Sequence, residues 1–72
     1  MALMLKVSVA LRNAGNCDVL VPVHNSDFAE TFKEIYMNAT LEEMRDKSFI
    51  MIGGQIFATS EIVRVSAVIW GY

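Results

Sequence analysis

Residues 49–69, FIMIGGQIFATSEIVRVSAVI, constrain the fold more than any other stretch of this chain. Phe49-Ile50-Met51-Ile52 is an uninterrupted apolar run, too short for a helix of its own and suited to a strand buried on both faces. Gly53-Gly54 follows. Two glycines accept the positive φ values of a two-residue hairpin turn. Gln55-Ile56-Phe57-Ala58 is then the return strand, and Thr59-Ser60-Glu61 is a second, polar break. From Ile62 the chain alternates. Val63, Val65, Ala67 and Ile69 take one face, and Ile62, Arg64, Ser66 and Val68 take the other. That period of two is the signature of a half-buried strand. A phosphate loop is not indicated, because neither a GxGxxG nor a Walker-type pattern accompanies the glycine pair.

The front of the chain repeats the alternation. Leu3, Leu5, Val7, Val9 and Leu11 interleave with Met4, Lys6, Ser8, Ala10 and Arg12, which predicts a strand with one face in the core. Residues 13–18, NAGNCD, have turn chemistry. Val19, Val21 and Val23 form a second apolar face opposite Leu20, Pro22 and His24. The two runs should pair as a hairpin. Pro22 cannot donate to a ladder, so the second strand belongs at an edge.

Between the two strand regions lies a helical segment. Asn25-Ser26-Asp27 opens it, and Asp27 and Glu30 have capping-box spacing. Phe28, Phe32, Ile35, Tyr36 and Ala39 make one apolar stripe, with Glu30, Lys33 and Glu34 opposite. Asn38 and Ala39 are expected to end or bend this helix. Thr40 and Glu43 then cap a second, short one running to about Lys47. The expected order is β-β-α-(α)-β-β-β in a single domain, 1–72. It is an α+β fold with a small, mainly antiparallel sheet and one amphipathic helix on a face.

A chain of 72 residues with 54% apolar and 19% charged residues has more apolar surface than so small an interior can hide. The surplus should be covered by another copy of the chain or by a partner. A net charge of −2 without a basic cluster argues against nucleic-acid binding. No stretch approaches the ~20 apolar residues of a membrane span. The lone Cys17 allows no internal disulfide, and Lys6 interrupts the apolar start that would mimic a signal peptide. Cytoplasmic residence is therefore expected. The Asn38-Ala39-Thr40 sequon has no meaning in that setting.

Chemistry-bearing residues are sparse. Cys17 and His24 could in principle form a nucleophile pair, but nothing electropositive stands beside the thiol in sequence. Two N/S ligands fall short of a structural zinc site, so no metal and no cofactor is expected. Glu30, Glu34, Glu42, Glu43 and Asp46 read as solvated helix faces. The methionines read as core filling. An enzyme is not expected.

Two functions remain. The first is a homo-oligomeric binding protein, such as a phage or bacterial accessory protein that inhibits a partner protein. The second is sequestration of a small anionic ligand, for example a nucleotide, between protomers. In that case Lys6, Arg12 and Arg64 would hold phosphate, and Trp70 or Tyr72 would stack on a base.

Overall fold

The computed structural model describes residues 3–71. It is an α+β fold of five strands and one helix. β1 (Leu3–Leu11), β2 (Gly15–Val23) and β5 (Ile62–Gly71) form an antiparallel sheet in the order β2-β1-β5. β3 (Phe49–Ile52) and β4 (Gln55–Ala58) form a separate hairpin. The helix α1 (Ala29–Asp46) lies between β2 and β3 in sequence and packs on β5 and β3.

The odd-numbered residues of β1 and β2 face inward. Leu5, Val7 and Val9 are fully buried, because the central strand is flanked on both sides and covered from within. Val19 of β2 joins them, together with Ile50, Ile52 and Phe57 of the hairpin and Ile62 of β5. Val65, Ala67 and Ile69 pack against this cluster from β5. The expected single sheet is thus two sheets. The hairpin folds over the inner face and shares its coverage with α1.

The first hairpin turns earlier than its polar run suggests. The turn occupies Arg12 to Ala14, Gly15 takes φ +73°, and Asn16, Cys17 and Asp18 already belong to β2. Leu11 pairs with Gly15 and Leu3 with Val23, so the alternation of β1 fixes a nine-residue ladder. Pro22 lies in an edge strand, as its missing N–H requires.

Gly53 and Gly54 turn the second hairpin with φ +55° and +86°. A Cβ on Gly53 would collide with Cγ1 of Val19, so the glycine seats the hairpin tip on β2. The base of the hairpin is tied down by Thr59. Its N–H donates to Ser48 O at 2.9 Å and its hydroxyl to Lys47 O at 2.9 Å. The run Phe49-Ile50-Met51-Ile52 is buried on one face only. Ile50 and Ile52 point inward, whereas Phe49 and Met51 are each 63% exposed. Nothing among the described residues lies over that outer side.

The helical segment departs from expectation in three ways. Asn25, not Asp27, caps it: Asn25 Oδ1 accepts from the Asp27 N–H at 3.0 Å and opens a short 3-10 turn, Ser26–Phe28. The inward stripe is Ala29, Phe32, Tyr36, Thr40 and Met44, while Phe28 and Ile35 are exposed. Finally, α1 is unbroken across Asn38 and Ala39. Thr40 does not cap a second helix. Its hydroxyl donates back to Tyr36 O at 2.8 Å, which satisfies a buried polar group inside one continuous helix.

A bulge corrects the phase of β5. Ala10 pairs with Arg64 and Leu11 with Ile62, so Val63 is the extra residue. Ile62 therefore turns inward with Val65, Ala67 and Ile69, and Val63 is exposed. The same junction is held by the Arg12 N–H, which donates to Glu61 O at 2.8 Å.

Candidate functional site

The outer face of the three-stranded sheet is set by register alone. Four rows cross it: Pro22, Met4 and Trp70; Leu20, Lys6 and Val68; Asp18, Ser8 and Ser66; and Asn16, Ala10 and Arg64. Its two ends differ in chemistry. The first two rows hold Met4, Leu20, Pro22, Val68 and Trp70 around a single lysine. The last two are small and polar, with Asp18 and Arg64 at their margins.

Neither α1 nor the β3–β4 hairpin reaches this face, since both pack on the inner one. Leu20, Val68 and Trp70 are exposed as a result. Cross-strand neighbours on one face stand about 5 Å apart and next-row neighbours about 7 Å. The five apolar side chains therefore form one contiguous patch, and Lys6 stands between Leu20 and Val68 at its polar margin. The lysine leans toward the polar end, where Nζ lies 3.7 Å from Oδ2 of Asp18.

The residues singled out for an anionic ligand are only partly brought together. Lys6, Arg64 and Trp70 share the outer face. Arg64 sits opposite Ala10, four residues from Lys6 along β1 and about 13 Å away at the rise of a strand. Trp70 lies six residues from Arg64 on the same strand, about 20 Å away. Arg12 is exposed at the β1–β2 turn. Tyr72 lies outside the described residues. Among the described residues there is no enclosed cavity, and no group of three or more His, Cys, Asp or Glu is arranged as a metal site.

Cys17 and His24 are not partners. Cys17 faces inward from β2, and its thiol lies 3.6 Å from Gln55 Oε1 of the hairpin. His24 is exposed just past the other end of that strand. Of the acidic helix residues, Glu30 and Glu43 meet Lys33 and Lys47 at 3.3 and 3.9 Å, on solvated turns of the helix. No helix of the structure is long and apolar enough to cross a membrane.

Sequence reading missed two features of this surface. Leu20, Pro22 and Met4 join Val68 and Trp70 only through the β2-β1-β5 order, which no local pattern encodes. The outer side of the hairpin adds a second apolar area, Phe49, Met51 and Ile56. Its signal was present, because a four-residue run in a two-stranded hairpin can bury only alternate residues. Compared with family models, curated proteins and solved structures, the chain finds no match.

Proposed function

We propose that this chain is a small, non-enzymatic, homo-oligomeric binding protein that docks on and inhibits a partner protein through the outer face of its three-stranded sheet. The observation that carries the reading is the contiguous patch of Met4, Leu20, Pro22, Val68 and Trp70, bordered by Lys6, Asp18, Ser8 and Ser66. An apolar centre with an aromatic anchor and a polar rim is the anatomy of a protein-contact surface. Burying it gains roughly 25 cal/mol per Å² of apolar area. A phage or bacterial accessory protein of 72 residues suits such a role. A cytoplasmic setting suits the free thiol of Cys17.

Sequestration of a nucleotide has weaker support. Lys6 and Arg64 stand about 13 Å apart along the sheet, and Lys6 already faces Asp18.

Leu20→Glu tests the reading. Leu20 lies opposite Lys6, so the introduced carboxylate gains a cation and the fold is expected to persist. Affinity capture from lysate of the source cells should recover a specific protein with the wild-type chain and lose it with the variant. Equal recovery by both would remove this face from the account.

A further inference from the structure

We propose that a second copy of this chain pairs its β5 strand antiparallel with β5 of the first, about a two-fold axis at Ala67. The proposal deepens the homo-oligomeric part of the reading above and rests on it. Docking of a different protein on the outer face does not depend on it.

The two edges of the sheet are built differently. Among the described residues β2 and β5 each pair with β1 alone, so each turns a row of backbone N–H and C=O groups outward. Natural edges are blunted with charge, proline or a bulge. β2 carries Asp18 and Pro22. β5 has its bulge at Val63 and its one charge at Arg64, both at its start. Residues 65–71, VSAVIWG, then run on without a charge or a proline. From Val65 to Ile69 this is an open strand template among the described residues.

The strand is complementary to itself in one register. A two-fold perpendicular to the sheet brings residues of the same face together. Centred on Ala67, it sets Val65 against Ile69 on the inner face and Ser66 against Val68 on the outer face. The smallest inward side chain of the strand then lies on the axis, where two copies meet. Arg64 of one copy faces Trp70 of the other, a cation opposite an aromatic ring. The two Arg64 side chains stand about 20 Å apart, beyond the ~8 Å screening length at physiological salt.

Other registers fit less well. An axis at Ser66 would oppose the inward Ile62 to the outward Trp70, because the bulge has shifted the phase of the strand. An axis at Val68 would give up the Arg64–Trp70 contact.

The product is a closed object. Its six strands run β2-β1-β5-β5-β1-β2, and both remaining edges are the blunted β2.

Sedimentation equilibrium on the full chain and two double variants tests the proposal. Ser66 and Val68 are both exposed, so substitution there leaves the core intact, and circular dichroism verifies folding. In S66K/V68K each introduced lysine faces another across the axis. Two such like-charged pairs should weaken the dimer about tenfold. In S66K/V68E each lysine faces a glutamate, and dimerisation should return to the wild-type level.

A wild-type chain that stays monomeric at every soluble concentration would overturn the pairing and the homo-oligomeric reading with it. A dimer indifferent to S66K/V68K would overturn the β5 edge while leaving an oligomer standing. Equal weakening by both variants would overturn the Ala67 register.

Discussion

Replacing Gly53 by alanine isolates the contact that seats the β3–β4 hairpin on the sheet. Gly53 holds φ +55°, where an L-residue is strained by about 1 kcal/mol. Its added Cβ would also collide with Cγ1 of Val19, a side chain only 4% exposed and unable to swing into solvent. Overpacking at such a site costs typically 1–3 kcal/mol. The sum is about 2–4 kcal/mol. Gly54 provides the control within the same turn. It holds φ +86°, yet a Cβ there meets nothing within 4 Å. Gly54→Ala should lose only the backbone strain, about 1 kcal/mol. Urea unfolding followed by circular dichroism reads both, and the difference between the variants is the steric contribution of hairpin docking. It should appear as a melting point lower by roughly 4–8 °C per kcal/mol in a domain this small. Equal losses in the two variants would mean that the hairpin tip does not rest on Val19, and the layered core would need rebuilding.

Three further outcomes follow from the structure. Leu41→Pro should cost about 3 kcal/mol, because Leu41 sits inside a continuous helix; a second helix capped by Thr40 would tolerate proline at that first position, so thermal melts of the variant distinguish the two arrangements. In the β3–β4 hairpin, Ile52→Ala should lose about 2–5 kcal/mol and Ile56→Ala within about 0.5 kcal/mol in the isolated protomer, since Ile52 is 0% and Ile56 68% exposed; chemical denaturation of both checks it. Asp18→Asn, which removes the partner of Lys6, should cost at most about 1 kcal/mol, and the loss should shrink in high salt.

The strands were legible because their code is local. A period of two over Leu3 to Leu11 and a glycine pair between apolar runs each point to one geometry. Both appear in the structure, as do the edge position of β2 and the polar break at Thr59. What the sequence hid depends on contacts far along the chain. Thr40 and Glu43 have the spacing of a capping box, but the spacing cannot say whether the threonine hydroxyl turns forward to a free N–H or back to Tyr36 O. The stripe through Phe28 and Ile35 has helical period, yet the face that docks is chosen by β5 and β3, and they select Ala29, Phe32 and Tyr36. The bulge at Val63 leaves no trace in a run of valines and isoleucines, because apolar residues on both phases mask a slip of one position.

The candidate site divides the same way. Alternation put Lys6 and Arg64 each on the even-numbered face of its strand, whereas Trp70, read as part of the chain end, proves to continue β5 onto the same face. Their separation along it, and the company of Leu20 and Pro22, came only with the strand order. Docking of α1 and the hairpin on a single side is what leaves the opposite face bare. An account built on that asymmetry requires the bare surface to be covered when the protein works.

The homo-oligomeric claim is tested most directly by native mass spectrometry of the protein as purified from cells. The expected species is a homo-oligomer, a dimer of twice the 8.0 kDa chain, without added small-molecule mass. A bare monomer would contradict the account, because the exposed strand edge would then have no occupant. An oligomer carrying the mass of a nucleotide would replace protein binding with ligand sequestration.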